Sequence, residues 1–441
     1  MAVNSGAEAP WPSEGRAWYA VGVLFIAVIF SFVDRIILSL LVDPIKADLG
    51  LSDSDFGWLL GAAFAFFLAV FGLPIGRLAD RYSRRTIIAI GIALWSLMTA
   101  ACGLAESFWQ LFFARVGVAV GEAALAPAAF SMISDLFRRE KLGRALGVYQ
   151  AGAFIGAGAA LLLGGVVIGL IRSEGEQVLP LLGVVEPWQM VFFIVGLPGL
   201  AVALLMMTLE EPARRAHPGQ AAIMPLGRVV AYARERWRVY GLHFIGFAML
   251  AVPITTTLTW APVYFGRVLG MPPPQIGLTL GLIVLLLSPA GVYAGGWTAD
   301  LLQRRGYGDA MHRVGLFAAA LLLPLCYFAT TGSDAQFATV MFVPLAFCAS
   351  LSLACAPAAL QIVTPGPMRG QVSAAWMLFL NVITAIVGPT SIGIIADRVF
   401  GDPLAVGKAL ALVNCASLPV AALALWAGRK PFAAEVASLR A

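Results

Sequence analysis

Twelve times along its 441 residues the chain runs for about twenty positions on mostly apolar side chains. That is the length an α-helix needs to cross a bilayer. In hydrocarbon every backbone N–H and C=O must be bonded within the chain, so irregular segments and open sheet edges cannot face lipid. The stretches lie at 17–41, 55–79, 85–105, 108–133, 143–170 and 187–209, then at 237–266, 275–300, 312–331, 335–362, 368–397 and 404–428. The expected fold is an all-α polytopic membrane protein with twelve transmembrane helices. Charged residues make up only 12% of the chain, about half their usual share in a soluble domain.

Lys and Arg set the direction of the helices. Twenty-two of the 29 lie near the termini (Arg16 and three after 428), at 77–85, 138–144, 214–238 and 304–313, and at Arg369. Five (Lys46, Arg172, Arg267, Arg398 and Lys408) fall in the alternate turns, and two (Arg35 and Arg115) inside apolar stretches. The positive-inside rule then puts both termini in the cytoplasm, as expected of a multi-pass protein of the cell (inner) membrane. The same distribution accounts for the net charge of +5 without a nucleic-acid partner. The start, "MAVNSGAEAPWPSEGR", lacks a basic n-region, and the apolar run after it is too long for a signal-peptide core. No cleavage is expected there. The five cysteines have neither metal-site nor disulfide spacing and read as small buried hydrophobes.

The longest hydrophilic stretch, "EEPARRAHPGQAAIMPLGRVVAYARERWR", divides the chain six plus six. The expected parts are a tail over 1–16, a bundle over 17–211, a linker over 212–236, a second bundle over 237–430 and a tail over 431–441. The halves repeat each other: "GRLADRYSRR" (76–85) answers "GGWTADLLQRR" (295–305), and "APAAFSMI" (126–133) answers "APAALQIV" (356–363). Two pseudo-symmetric six-helix bundles with a site between them form a common transporter plan.

Over essentially its whole length the chain resembles the major facilitator superfamily. "GRLADRYSRR" is similar to the signature Gly-x-Leu-Ala-Asp-Arg-x-Gly-Arg-Arg, with Ser83 where the signature has its second glycine. The resemblance implies that Gly76, Asp80, Arg81, Arg84 and Arg85 latch the cytoplasmic ends of the bundles. On physical grounds Gly76 admits close helix approach, and Asp80 stands near the start of the third helix, where the dipole favours an acid. A solvated basic turn that only sets topology is the plainer reading. Within the superfamily, "FVDRIIL" (32–38) and "RVGVAVGEAALAPAAFSMISDLF" (115–137) resemble the Spinster branch, whose members move lysophospholipids and sphingosine-like lipids. Organic-anion symporters of the superfamily share the Asp-Arg and the Arg…Gly-Glu. The Gly-Pro pair usual in helix five of its drug antiporters is missing from "GAFIGAGAALLLGG" (152–165).

Four charges stand at membrane depth. Arg115 and Glu122 are seven residues apart, hence on one face of the fourth helix and about 10 Å apart along it. Asp34 should lie level with Arg115, while Arg35 points about 100° away from it. Such residues cost several kcal/mol and commonly mark a pathway or proton relay. An ion-pair cluster that only fixes helix register is the competing reading. Glu122 is the expected proton acceptor, because burial favours its neutral form and Arg115 its charged one. Arg115 is expected to hold the anionic group of a substrate.

The second half has no acid or base near its midplane. His243 is expected at the cytoplasmic interface. The neutral candidates are Thr255, Thr256, Thr257, Thr259, Trp260, Gln361 and Asn381, of which Thr256, Trp260, Gln361 and Asn381, together with Tyr149, are candidate cavity-lining residues. The threonines also fit simple back-bonding within their helix.

One charged wall and one mostly apolar wall suit an amphipathic solute. The expected function is secondary active transport of a lysolipid-type solute by alternating access, proton-coupled through Glu122 with Asp34, Arg35 and Arg115. The alternative is a proton-coupled symporter of small organic anions such as sugar acids. No G-x-x-x-x-G-K-[ST] loop points to ATP, and three histidines without a G-x-S-x-G motif make no catalytic cluster. A monomer is expected, without cofactor or metal, in contact with membrane lipids, a small amphipathic substrate and protons.

Overall fold

A computed structural model of the chain describes residues 11–174, 177–179, 183–214 and 224–439. The first ten residues, His217 in the linker and Arg440 lie outside the described residues. Among the described residues, twelve helices are long and apolar enough to cross a membrane: α1 (Glu14–Leu40), α2 (Asp53–Arg81), α3 (Arg84–Cys102), α4 (Phe108–Leu136), α5 (Lys141–Ile171), α6 (Pro187–Met207), α7 (Trp237–Arg267), α8 (Pro273–Arg304), α9 (Ala310–Thr331), α10 (Ala335–Val363), α11 (Gly366–Phe400) and α12 (Pro403–Ser438).

Short polar side chains start several of them by taking a backbone N–H that has no partner in the first turn. Ser52 caps α2 through Asp55 N–H in a capping box, Ser107 caps α4 through Gln110 N–H, and Asp334 caps α10 through the N–H groups of Gln336 and Phe337. Ser83, standing where the signature has glycine, does this for α3, accepting from Thr86 N–H. Asp80 therefore belongs to the last turn of α2 and not to the start of α3, so the dipole argument for it does not hold.

Several spans are broken, and proline explains the matching pair. Helix α4 halts after Glu122 and resumes at Leu125; α10 halts after Ser350 and resumes at Cys355. Pro127 and Pro357 follow, and neither has an N–H to give the carbonyl four residues back. The repeat seen in the sequence is thus a repeated helix break, and Glu122 ends the first half of α4.

Two elements differ from expectation. Helix α12 runs on to Ser438 through the region expected to be tail, because Phe432 and Val436 are buried against the second bundle. After α5, residues Gln177–Leu179 pair antiparallel with Gly183–Val185, a hairpin the apolar pattern did not announce.

The two bundles meet along glycine seams. A Cβ on Gly277 of α8 would stand 2.3 Å from the Leu161 carbonyl oxygen of α5, and one on Gly165 would stand 2.9 Å from Gly277 Cα. Likewise a Cβ on Gly61 of α2 would lie 2.7 Å from the Ala385 carbonyl of α11. The glycines of the fifth stretch thus have a packing purpose, since only a missing side chain lets backbones approach so closely.

Candidate functional site

Helices α1 and α4 bring the four expected charges together. Arg35 extends from α1 between the rings of Phe32 and Phe64, its guanidinium carbon 5.0 Å from each centroid. It forms an ion pair with Glu122, whose side chain is 1% exposed while that of Arg35 is 33% exposed. Arg115 is buried: its Nη1 donates to the Asp34 backbone carbonyl at 3.1 Å, and its guanidinium packs 5.1 Å from Phe64. It therefore ties α4 to α1 in this state, while Arg35 is the more exposed of the two arginines. Asp34 and Arg35 diverge as helix geometry requires, Asp34 into the bundle and Arg35 toward open space.

Behind this pair lies a polar site that the sequence analysis missed. Asp34 is 0% exposed, and neither of its carboxylate oxygens has a hydrogen-bond partner. Trp95 and Thr99 of α3 stand beside that carboxylate, with the indole Nε1 and the hydroxyl also unpartnered. Trp95, Thr99 and Cys102 fall at i, i+4 and i+7, a single helix face. That spacing is visible in the sequence, but without a charge to mark it the face does not stand out within the apolar stretch at 85–105.

The neutral candidates of the second bundle divide. Thr256 donates to the Pro253 carbonyl and reaches Asn414 Oδ1 at 3.0 Å, and Trp260 Nε1 donates to the Pro389 carbonyl at 3.0 Å. Both are buried, as is Tyr149, which packs against Phe130. None of the three lines an open cavity here, because each side chain is spent on packing or an interhelical bond. Thr255, Thr257 and Thr259 bond back to their own helix, as the plainer reading held. Gln361 and Asn381 are exposed, Gln361 reaching Ser373 and Asn381 the Met377 carbonyl. His243 lies in the interior of the second bundle. It is fully buried, 4.7 Å from Phe247 and 5.6 Å from both His312 and Trp376 by ring centroids.

The basic turn is arranged differently from a latch between bundles. Arg84 is buried within the first bundle, bonding Asp135 at 2.5 Å, Ser131 at 2.9 Å, Glu211 at 2.8 Å and the Pro212 carbonyl at 2.8 Å. Arg85 bonds the Leu209 carbonyl at 2.8 Å, and its N–H donates to Glu211 at 2.9 Å. These two arginines fasten α3 to the start of the linker. Burial alone would push the Glu211 carboxyl up, but the Arg85 N–H, Arg84 and Ser83 together hold it below the usual glutamate range. Asp80 and Arg81 are exposed. A Cβ on Gly76 would meet only Pro127, at an ordinary 3.8 Å, so no close approach depends on that glycine here.

At the face opposite the basic turns the bundles are clamped. Arg267 of α7 bonds Asp53 at 2.7 Å, Asp43 at 2.5 Å and the Pro403 carbonyl at 3.1 Å. Lys46 also pairs with Asp53, and the Ser54 N–H donates to Asp397 of α11 at 2.5 Å. Thr390 of α11 accepts from the Ala62 N–H and donates to the Gly57 carbonyl. Among the described residues, the side-chain hydrogen bonds that join the bundles all lie in this half. The sequence placed Arg267 only among the basic residues of the alternate turns.

The described residues contain no cluster of three or more His, Cys, Asp or Glu able to hold a metal. Four cysteines are buried and Cys415 partly so.

The family model of the Major Facilitator Superfamily matches residues 24–428. An MFS-type efflux pump of Mycolicibacterium smegmatis is 30% identical, over 93% of this chain and 92% of its own. A probable L-galactonate transporter of Escherichia coli is 24% identical, over 97% of this chain and 95% of its own. Protein spinster homolog 1 of Homo sapiens is 27% identical, over 88% of this chain and 74% of its own.

Proposed function

The chain belongs to the Major Facilitator Superfamily, and on that premise we propose that it is a Spinster-like carrier of an amphipathic anion or zwitterion of the lysolipid class, coupled to protons. It is a transporter and not an enzyme. The observation that carries the reading is the partly exposed side chain of Arg35, its guanidinium beside two phenyl rings and ion-paired to a buried Glu122.

A planar fork suits phosphate and carboxylate. When a substrate's anionic group takes that fork, Glu122 loses its nearest countercharge inside the bundle. An unpaired buried carboxylate is costly, so it takes up a proton. Anion binding at Arg35 and proton binding at Glu122 then favour each other, which is thermodynamic coupling. Buried Thr256 and Trp260 leave the facing bundle mostly apolar, suited to an acyl chain. The basic face is cytoplasmic on this reading, as the positive-inside rule requires. The molecule is then closed outside by Arg267 and open inside.

A second reading is supported by the L-galactonate relative: a small sugar-acid anion would use the same Arg35–Glu122 pair without needing an apolar wall. One assay separates them. Purified protein in liposomes under an imposed pH gradient should accumulate lysophospholipid, with affinity climbing with chain length by up to roughly 0.8 kcal/mol per buried CH₂ until the cavity fills. Glu122→Gln should abolish accumulation but keep binding and exchange. Affinity flat across chain lengths with brisk uptake of gluconate would replace the lysolipid reading by the sugar-acid one. Gradient-driven uptake at the wild-type rate by Glu122→Gln would remove Glu122 from coupling.

A further inference from the structure

Within the hydrophilic linker stands a helix of ten residues, Leu226–Glu235, that the transport reading leaves without a part. Ten residues are too few to hold a helix in water by themselves. This one forms because one face docks on the second bundle: Val229 is buried, and the Tyr232 ring lies 6.2 Å from that of Tyr240 on α7. Both ends are tied down as well. Gln371 of α11 donates to the Met224 carbonyl at 2.6 Å. Arg236, just past the helix, lies 4.0 Å from the Tyr232 ring and donates to Glu435 of α12 at 2.9 Å.

A second row of side chains turns about 100° away from the docked face. Leu226, Val230 and Arg234 fall on it at i, i+4 and i+8. Leu226 is 68% exposed, Val230 58%, and Trp237, the first residue of α7, 56%. Further along α7, on the same side as Trp237, Ile245 is 40% exposed where the span crosses hydrocarbon. The uncovered row therefore adjoins lipid-facing surface, with a tryptophan at the boundary where that residue is favoured.

Charge decides what covers it. Residues 225–240 hold four arginines and one acid. Arg236 is spent on Glu435 and Glu235, whereas Arg228, Arg234 and Arg238 form no ion pair among the described residues. Arg234 ends the apolar row, and Arg238 adjoins Trp237, its guanidinium carbon 5.6 Å from the indole ring. Arg228, two residues from Val230, points to nearly the opposite side of the helix, the side of Glu235. An apolar row that ends in unpaired guanidinium groups at the membrane boundary matches an anionic phospholipid. Its acyl chain would lie against Leu226, Val230 and Trp237, and its phosphate on Arg234 and Arg238.

We propose that the helix Leu226–Glu235 lies on the membrane surface at the basic face and binds an anionic phospholipid through Arg234 and Arg238, anchoring the second bundle. The transported solute plays no part in this binding.

Two measurements on the purified full-length protein test it. A spin label at Val230→Cys, with Cys415 replaced by Ser and the other four cysteines buried, reads depth by its collisions with oxygen and with a water-soluble nickel chelate. In nanodiscs containing phosphatidylglycerol, oxygen should dominate at Val230→Cys and the chelate at Glu235→Cys. In detergent, phosphatidylglycerol binding is followed by native mass spectrometry. Arg234→Gln and Arg238→Gln should each weaken it about fivefold, the worth of one arginine at a lipid surface. Arg228→Gln, with the same change of charge, should weaken it less than about twofold. A Val230 label as open to the chelate as the Glu235 one overturns the proposal and leaves the row to a soluble partner protein. Equal loss in all three arginine variants, which is diffuse attraction, or loss in none, which places the lipid elsewhere, overturns it too. Neither readout uses a transported solute or a pH gradient, so failure of the transport reading leaves both untouched.

Discussion

Two arginines that look alike in the sequence have opposite fates. Arg115 was the expected anion contact because it shares a helix face with Glu122, and that shared face holds. What one-dimensional spacing does not contain is which of the four charges stays exposed, since this depends on how α1 rotates against α4. The side chain of Arg35 is 33% exposed, whereas Arg115 is 3% exposed and bonded to backbone. The two arginines should therefore answer differently to Lys. Arg35→Lys keeps charge but loses the fork and the ring sandwich, so anion affinity should fall at least about tenfold, near 1.4 kcal/mol, with thermal stability little changed. Arg115→Lys should lower stability first, read as a drop in the melting temperature of the purified protein, because it removes a buried tie between helices. At the basic turn, Glu211 gives a pH prediction. Its carboxyl sits below the usual glutamate range in the folded chain, so the stability it contributes is present above that ordinary value. That contribution is lost as pH falls through the lower, folded value. Thermal melts between about pH 6 and about pH 3 should show wild type losing more stability on acidification than Glu211→Gln. Equal losses would mean that the bonds from Ser83, Arg84 and Arg85 are not differentially stabilising.

Helix length and apolarity made the elements legible, because hydrocarbon leaves a chain so few options. Finer features were legible only where a specific residue forces them. Pro127 and Pro357 sit in the repeated "APAA" and break α4 and α10 at matching places, whereas Ser83 gave no sign that it would cap α3 until the fold put Thr86 N–H over it. The C-terminal turns of α12 were taken for tail because the charges at 429–430 end the hydropathic run, yet Phe432 and Val436 continue its buried face. Glycine spacing showed small residues without showing which partner they admit. Within α8 the contrast can be tested on one helix. Gly277 has no room for a Cβ, which would lie 2.3 Å from the Leu161 carbonyl, while a Cβ on Gly296 meets nothing within 4 Å. Gly277→Ala should destabilise the seam with α5 by about 1–3 kcal/mol, the usual cost of overpacking. Gly296→Ala should be neutral or slightly stabilising through helix propensity. Melting temperatures of the two variants check this, and similar values would mean that α5 can shift aside.

At the scale of the whole molecule, the side-chain hydrogen bonds between the bundles among the described residues are all on one side. The glycine seams of α5 with α8 and α2 with α11, the Arg267 clamp and the Ser54–Asp397 bond lie toward the face opposite the basic turns. Asp80 and Arg81, which the superfamily signature implies should latch the basic ends together, are exposed. A transporter that alternates access needs two such locks, each closed when the other is open, and a ligand or mutation shifts the balance only by its differential effect on the two states. Arg267 holds Asp43 and Asp53 in the state seen here. Replacing it by Gln leaves Asp53 buried with Lys46 as its remaining partner and Asp43 with none of its Arg267 bonds. The present state should lose stability relative to the alternative, in which those acids can hydrate. Asp80 makes no corresponding contribution here, so Asp80→Asn should act on the other state only, loosening the basic-face lock and deepening the population of the present one. Spin labels at Tyr82→Cys and Tyr307→Cys, exposed positions on the basic turns of the two bundles, measure the balance as a distance distribution. Arg267→Gln should raise the short-distance population at least about tenfold relative to the long one, a change of about 1.4 kcal/mol or more. Asp80→Asn should move it the opposite way. If both variants shift the distribution in the same direction, the two sites are not opposing locks, and the clamp at Arg267 is a permanent fastening between the bundles.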